Sequence, residues 1–177
     1  MPGLTRGLIQ IYTGEGKGKT TAALGLALRA TGHGLRVFIV QFMKGQGGSG
    51  ELKALKRLEP ECQIEYFGAP AWAHKGQDLA LHRQEALRAF QLAKEIIDSG
   101  NWDMVILDEI FNALWYELIP ENEVLALLEQ KPAQVELILT GRHAALPFLD
   151  KADLVTEMKL GKHPFSQGVP ARPGIEY

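Results

Sequence analysis

The fold of this 177-residue chain is indicated by one stretch near its start, Gly14-Glu15-Gly16-Lys17-Gly18-Lys19-Thr20. An apolar run precedes it at residues 8–12, and an alanine- and leucine-rich stretch typical of a helix follows at residues 21–30. A strand, a glycine-rich loop and a helix in this order form a phosphate-binding loop, in which backbone N–H groups face an anion at the helix N-terminus. The sequence therefore predicts a polyphosphate site here.

The positions within this loop have separate roles in that prediction. Its three glycines let the backbone close around phosphate groups where a Cβ would obstruct it. Lys19 is spaced to reach the phosphates, and the Thr20 hydroxyl to ligate a magnesium ion held by them. Thr13 stands where the pattern G-x-x-x-x-G-K-[ST] expects its first glycine. A plain glycine-rich turn is the alternative, but it would have Lys19 and Thr20 at this offset only by chance.

A second motif lies at residues 104–109, where an apolar run ends in Asp108 and Glu109. It resembles a Walker B element, which brings carboxylates to the carboxyl end of a strand beside the phosphate loop. One carboxylate there can hold magnesium, and the other can orient a neighbour or act as a general base. The alternative is that Asp108 caps the next turn and Glu109 is solvated. Because the phosphate loop is present, a metal role for at least one of them is favoured.

Composition limits the partners that the chain can have. It contains 19 Lys and Arg against 21 Asp and Glu, a formal net charge of -2, so no general electrostatic attraction to nucleic acid or anionic membranes is expected. The single cysteine, Cys62, excludes an intrachain disulfide and is expected to pack in or near the core. No apolar stretch reaches membrane-spanning length and no targeting core is seen, so the expected location is cytoplasmic.

The apolar pattern predicts an α/β fold. Strand-like runs alternate with helical patterns, which indicates a mostly parallel six-stranded sheet with helices on both faces. The clearest helix has Leu79, Ala86, Leu87, Phe90, Ala93 and Ile97 on one face. Residues 1–177 are expected to form a single domain with an irregular tail at 161–177. The strand-like runs are residues 8–12, 37–41, 64–67, 104–107, 135–139 and 154–158.

Shorter matches to one protein family run through the chain in a fixed order. They include Gln41-Phe42-Met43-Lys44-Gly45, Leu139-Thr140-Gly141-Arg142, Lys162-His163-Pro164-Phe165 and Gly174-Ile175-Glu176-Tyr177, besides the two motifs above. With these, residues 7–177 resemble the P-loop type of ATP:corrinoid adenosyltransferase, or cob(I)alamin adenosyltransferase. The phosphate loop alone is weakly specific, whereas the ordered set is highly specific.

The resemblance implies a RecA-like P-loop fold and, usually, a homodimer. It also implies transfer of the 5′-deoxyadenosyl group of ATP to the cobalt of a reduced corrinoid, with triphosphate as leaving group, in adenosylcobalamin biosynthesis or salvage. In that family ATP lies reversed across the loop compared with ordinary NTPases. An electron-donating flavoprotein reductase is the expected further partner.

The resemblance also implies roles for particular residues. Lys19 and Thr20 would be catalytic, and Thr20, Asp108 and Glu109 would be candidates for holding Mg²⁺. The ATP-binding residues would be Gly14, Glu15, Gly16, Lys17, Gly18, Lys19, Thr20 and Thr21.

Corrinoid binding is assigned to aromatic and polar residues. The family displaces the lower cobalt ligand with aromatic side chains, and Trp72 matches one of these. The other is replaced by Pro70, for which Phe67 is the nearby substitute. Arg142 is expected to reach a phosphate or the corrinoid rim, with a surface ion pair as the alternative. His163 is expected to contact ATP or corrinoid, with a hydrogen bond that folds the tail as the alternative.

Two other functions compete with this interpretation. A P-loop ATPase or kinase is favoured by the carboxylate pair at Asp108 and Glu109, and disfavoured by the matching tail. A nucleotide-dependent carrier that delivers a corrinoid to a client enzyme is the non-enzymatic alternative. The five histidines do not show the spacing of a zinc site.

Overall fold

The computed structural model describes residues 3–45, 50–71, 73–74 and 77–176. Within these residues, six strands form one sheet in the order β3-β2-β4-β5-β1-β6, and every neighbouring pair is parallel. The predicted α/β fold is confirmed, and the sheet is wholly parallel where the sequence indicated a mostly parallel one. The strands are β1 (Ile9–Thr13), β2 (Val37–Gln41), β3 (Cys62–Tyr66), β4 (Met104–Asp108), β5 (Glu136–Thr140) and β6 (Leu154–Glu157).

Helices cover both faces of the sheet, as predicted. The described helices are α1 (Lys19–Gly32), α2 (Gly50–Leu55), α3 (Ala80–Asp98), α4 (Ile110–Trp115), α5 (Glu121–Gln130) and α6 (Leu146–Leu149). One core cluster joins α1 to the sheet, and a larger one joins α3, α4, α5 and α6 to the opposite face. Neighbouring residues of β4 show this division, because Ile106 belongs to the first cluster and Leu107 to the second.

The buried face of α3 includes His82 and Ala89, which were not predicted, and excludes Leu87, which was. Leu87 was expected in the core but is 42% exposed. The core positions of this helix follow the spacing of four and three residues through Ala86, Ala89, Phe90, Ala93 and Ile97. Leu87 is one residue after Ala86, about 100° round the helix. Its exposure follows from that rotation, and the prediction for Leu87 was wrong.

The parallel strands place the functional motifs at one edge of the sheet. β1 leads into the phosphate loop, β4 ends at Asp108, and the end of β5 lies between the ends of these two strands. In open α/β sheets this carboxyl edge is where ligands bind. Among the described residues, we find no helix with the length and apolar character needed to cross a membrane.

Candidate functional site

The phosphate loop turns sharply at its two ends. Gly14 has φ 96° and Gly18 has φ 115°, conformations that glycine adopts without a Cβ penalty. Helix α1 then begins at Lys19, whose Nζ donates hydrogen bonds to the carbonyl oxygens of Gly14 at 2.6 Å and Gly16 at 2.7 Å. Burial and the charge of Arg142 lower the pKa of Lys19, while nearby carboxylates oppose that change. The loop carbonyls of Gly14 and Gly16 thus surround the Lys19 ammonium group.

Close packing gives a second reason for the loop glycines, which the sequence did not reveal. A Cβ at Gly14 would lie 2.6 Å from the Met158 carbonyl oxygen, and one at Gly16 would lie 2.7 Å from that of Lys159. The N–H of Gly16 donates to the Met158 oxygen at 2.7 Å. The chain leaving β6 therefore lies directly against the loop, and it leaves no room for side chains at these positions.

Asp108 is fully buried at the end of β4 and accepts three hydrogen bonds. Its Oδ1 accepts from the hydroxyl of Thr20 at 2.9 Å and from that of Thr140 at 2.7 Å, and its Oδ2 accepts from the amide of Gln41 at 3.0 Å. These donors come from α1, β5 and β2, so the carboxylate joins three elements at the edge of the sheet. The predicted pair of Thr20 and Asp108 is brought into direct contact.

Glu109 follows in the left-handed conformation, with φ 65°. Its N–H donates to the Thr140 hydroxyl oxygen at 2.9 Å, and its carboxylate accepts a hydrogen bond from the amide of Asn112. Burial raises the pKa of Glu109 and the neighbouring Asp108 raises it further, whereas Lys44, Lys19 and Arg142 act in the opposite direction. Glu109 is thus a half-buried carboxylate whose pKa is raised by desolvation and by Asp108 and lowered by the surrounding cations.

Arg142 and His143 connect the end of β5 to the phosphate loop. The Arg142 guanidinium lies 3.4 Å from the carboxylate of Glu15, and His143 Nδ1 lies 3.5 Å from it. The backbone N–H of Arg142 donates to Asn112 Oδ1 at 2.8 Å, and the His143 ring lies 4.2 Å from that of Trp115. The ion pair that the sequence left as the alternative for Arg142 is present.

Two cavities meet at this edge of the sheet. The first, of about 1000 Å³, is lined by residues of the phosphate loop, α1 and the C-terminal tail. The second, of about 500 Å³, is lined by Met43, His82, Tyr116 and residues 69–71, among others. Lys44, Glu109, Asn112 and Arg142 line both. The predicted phosphate site therefore adjoins a second binding volume.

Comparison with known proteins identifies the family. A family model described as ATP:corrinoid adenosyltransferase BtuR/CobO/CobP matches residues 5–177. The chain belongs to the ATP:corrinoid adenosyltransferase family. The family predicted from the motifs is confirmed, and with it the predicted class of enzyme, a transferase whose family acts on ATP and corrinoids.

Individual relatives agree over nearly the whole chain. The corrinoid adenosyltransferase of Sinorhizobium sp is 41% identical over 174 residues, which cover 97% of this chain and 81% of the relative. The corrinoid adenosyltransferase of Escherichia coli (strain K12) is 40% identical over 174 residues, which cover 97% of this chain and 86% of the relative. Among solved structures, the cytoplasmic domain of EssC matches with TM-score 0.53 and 20% identity over 97% of this chain and 37% of that one. This last likeness concerns the fold alone.

The C-terminal tail of the adenosyltransferase closes over the phosphate loop. Lys17 Nζ donates to the carbonyl oxygen of Ile175 at 2.9 Å and to the Glu176 carboxylate at 3.1 Å. Hydrogen bonds from Arg172 lower the pKa of Glu176 to about 2, so this carboxylate is charged at neutral pH. His163 Nδ1 accepts from the N–H of Phe165 at 3.2 Å, and His163 also lines the first cavity. The hydrogen bond proposed as the alternative for His163 is thus formed.

The predicted corrinoid residues are only partly described. Trp72 lies outside the described residues. Phe67 packs against the larger core cluster, with the guanidinium carbon of Arg88 5.7 Å from its ring centroid. The loop after Phe67 supplies Ala69, Pro70 and Ala71 to the wall of the second cavity. The corrinoid roles of Trp72 and Phe67 stay predictions.

Several polar residues of the adenosyltransferase site were not singled out from the sequence. Gln41 and Thr140 each end a strand, and a polar residue at the carboxyl end of a buried strand is a usable signal. Asn112 lies in the first turn of α4, four residues after Asp108, and nothing in its local sequence distinguishes it. Its contacts arise from the fold.

Proposed function

We propose that this adenosyltransferase transfers the 5′-deoxyadenosyl group of ATP to the Co(I) centre of a reduced corrinoid and releases triphosphate. The observation that carries this proposal is the junction of the two cavities at Lys44, Glu109, Asn112 and Arg142. The first cavity includes the phosphate loop, and the second adjoins it without an intervening element. An acceptor held in the second cavity faces the nucleotide.

The reaction needs little chemistry from the protein. The electron pair of Co(I) forms the cobalt–carbon bond to C5′ of the ribose, the C5′–O bond breaks, and its electrons stay on the departing triphosphate. Because Co(I) is itself a strong nucleophile, no general base is required. The protein has to hold the two reactants in line and neutralise the charge that develops on the leaving group.

Neutralisation is assigned to the phosphate loop. We assign the triphosphate to the backbone at residues 14–18 and to the side chains of Lys17, Lys19, Thr20 and Thr21. Lys19 Nζ donates to loop carbonyls and Lys17 Nζ donates to the tail, and both ammonium groups exchange these partners for phosphate oxygens when ATP binds. Glu15 is assigned to the same site through its ion pair with Arg142.

The residues present suit a magnesium ion. Thr20 Oγ1 and Asp108 Oδ1 lie 2.9 Å apart, and both are the oxygen donors that Mg²⁺ prefers. In the described part of the chain, no three His, Cys, Asp or Glu side chains form a metal-binding group. Phosphate oxygens and water would supply the remaining ligands, as is usual for Mg²⁺. When bound, the magnesium ion would neutralise part of the triphosphate charge. Glu109 is assigned to the outer surroundings of this ion, without direct coordination.

The decisive measurement is the identity of the inorganic product. With ATP, magnesium and chemically reduced corrinoid, we expect triphosphate to appear in step with a light-sensitive cobalt–carbon product. Accumulation of ADP and phosphate with an unchanged corrinoid spectrum would support the ATPase alternative instead. Corrinoid binding without either product would support the carrier.

We assign to the aromatic side chain of Trp72 the displacement of the lower cobalt ligand, which prepares the corrinoid for reduction by the flavoprotein, with Phe67 as the substitute for the aromatic missing at Pro70. A ring at the lower corrinoid face excludes the axial ligand and so eases reduction of Co(II). Trp72→Ala should slow adenosylation strongly when Co(II) and a flavoprotein reductant are supplied, and much less when Co(I) is supplied. Equal losses in both assays would contradict this role.

Three further features belong to the proposal. A flavoprotein reductase is the proposed electron donor, and a cytoplasmic location is proposed because the enzyme consumes ATP.

A homodimer is proposed on the family resemblance. It is supported by edge strand β6, on which Leu154 is 41% and Val155 is 45% exposed. An exposed apolar edge strand offers unpaired N–H and C=O groups with which another chain can pair.

A further inference from the structure

Asn112 uses both ends of its side-chain amide inside the site. Its Nδ2 donates to the carboxylate of Glu109, and its Oδ1 accepts from the backbone N–H of Arg142 at 2.8 Å. The donor and the acceptor of one amide are therefore engaged with two different segments, the start of α4 and the end of β5. A side chain that satisfies both partners must carry a donor and an acceptor, as an amide does.

Both partners of Asn112 lie where the two cavities meet. The side chains of Glu109 and Arg142 line the phosphate cavity and the second cavity. Arg142 also reaches the phosphate loop through its ion pair with Glu15. Asn112 thus links the Glu109 carboxylate, at the start of α4, to the backbone of Arg142, whose guanidinium contacts the loop.

The backbone turn after β5 determines that Asn112 and Arg142 meet. Gly141 has φ 139°, and a Cβ there would lie 2.8 Å from Cβ of Phe111, so the turn after β5 lies tightly against α4. This close approach brings the N–H of Arg142 to Asn112. The position of Glu109 is then determined by the Asn112 donor on one side and by the Thr140 hydroxyl on the other.

We propose that Asn112 is a positioning residue for adenosyl transfer, acting through Glu109 at the junction of the two cavities. This inference rests on the proposed function. The electron-rich cobalt approaches this junction, so a carboxylate that swung toward the second cavity would repel it. The Asn112 donor holds the Glu109 carboxylate against α4, out of that path. The hydrogen bonds of the Asn112 side chain go to Glu109 and Arg142, so its loss should lower the rate of transfer more than the affinity for nucleotide.

The test uses single-turnover and steady-state adenosylation with Co(I) corrinoid supplied ready-made. Asn112→Ala should lower kcat about 100-fold, the scale expected when a reacting geometry is displaced by about 1 Å, and change KM for ATP less than about threefold. The matched control is Asn122→Ala, because Asn122 is exposed on α5. We expect wild-type kcat for the control.

A double-mutant cycle separates positioning from a general structural role. If Asn112 acts through Glu109, the Asn112→Ala, Glu109→Ala double variant should have the kcat of Glu109→Ala within about twofold, because the two effects do not add. Multiplication of the two losses would overturn the proposal. A proportional rise in KM for ATP in Asn112→Ala, or a wild-type kcat, would overturn it as well.

Asn112→Asp keeps the test valid if Asn112→Ala fails to fold. The aspartate retains the size of the side chain and the acceptor for the Arg142 N–H, but it loses the donor and opposes Glu109 with a like charge. Its kcat should fall at least as far as that expected for alanine, and a wild-type kcat would overturn the proposal. Absence of cobalt–carbon product from the wild type would overturn the proposed function itself, whereas an active wild type with unaffected Asn112 variants would overturn this inference alone.

Discussion

Lys19 begins α1 at the end of the phosphate loop, and its Nζ donates to two carbonyl oxygens of that loop. Removing its ammonium group takes away one fixed positive charge from the departing triphosphate. Lys19→Ala should therefore cost about 3 kcal/mol of transition-state stabilisation, or about a hundredfold in kcat, measured with Co(I) corrinoid under conditions where chemistry limits the rate. Lys56→Ala, at an exposed position after α2, is the control. Wild-type turnover by Lys19→Ala would exclude the loop from the mechanism.

Thr20 acts on the same leaving group by a different route. Its hydroxyl lies 2.9 Å from Asp108, and its loss removes a magnesium ligand and leaves the charge of Lys19 in place. Thr20→Ala should raise the magnesium concentration needed for half-maximal activity about tenfold, with activity recovered at high magnesium. Thr31→Ala removes a hydroxyl at the far end of the same helix, where it bonds Ala27 and Leu28 carbonyls, and should leave that requirement unchanged. An unchanged magnesium requirement in Thr20→Ala would contradict the metal role.

Single residues of this site differ in how far the sequence reveals them. Lys19, Thr20 and Asp108 belong to two motifs whose spacing reflects local geometry, and the contact between Thr20 and Asp108 could be predicted. Asn112 could not, because its partners are set by the turn after β5 lying against α4. The contacts of Lys17 with Ile175 and Glu176 in the tail likewise join residues that are far apart in the sequence. Contacts of that kind depend on the complete fold.

At the scale of elements, the phosphate loop and the chain leaving β6 are packed together without space for a Cβ. Gly16→Ala should destabilise the protein by about 1–3 kcal/mol, because the backbone at Met158 and Lys159 must move. For a chain of this size each kcal/mol corresponds to a fall in Tm of about 2–4 °C. Differential scanning calorimetry measures the effect directly.

Gly25→Ala is the matched comparison within α1. A Cβ at Gly25 meets no atom within 4 Å, and alanine is the better helix former by about 1 kcal/mol. This variant should therefore raise Tm slightly while Gly16→Ala lowers it. A Gly16→Ala protein as stable as the wild type would show that the loop and the β6 exit are not closely packed.

Element boundaries could be predicted closely where burial alone decides them. The β2 run, residues 37–41, coincides with the strand, and Met104 begins β4 as expected. Strand β3 begins two residues earlier than predicted, at Cys62, because Gln63 interrupts the apolar run without interrupting the pairing with β2. Leu87 was wrongly placed in the core because the apolar character of a residue does not by itself show that it faces the buried side of a helix.

At the scale of the whole molecule, β6 forms an edge of the sheet, with all four of its residues exposed. If a second copy covers this edge, Val155→Lys should convert the proposed dimer to a monomer, because it places a charge in the interface. Sedimentation velocity distinguishes the two masses. Leu81→Lys, at an exposed position on α3, should leave the dimer intact. A dimer that survives Val155→Lys would place the interface elsewhere.

The strand order belongs to this scale too, and the sequence did not specify it. Alternating strands and helices predict a parallel sheet, but the apolar runs do not show that β5 lies between β1 and β4. That insertion determines that Thr140, from β5, hydrogen-bonds both Asp108 and the Glu109 backbone. The polar contacts of the site thus follow from an order of strands that only the folded chain displays.

Cys62 provides the molecule with an intrinsic reporter. It is the single cysteine of the chain, it is 1% exposed at the start of edge strand β3, and burial raises the pKa of its thiol to about 11. Alkylating reagents react with exposed thiolates, so labelling at neutral pH has to pass through conformations in which this edge has opened. Cys62 packs in the same cluster as Ala23 and Ala27 of α1, the helix that begins at the phosphate loop. The alkylation rate of one natural thiol therefore measures how strongly nucleotide at one end of α1 suppresses opening at the edge of the sheet.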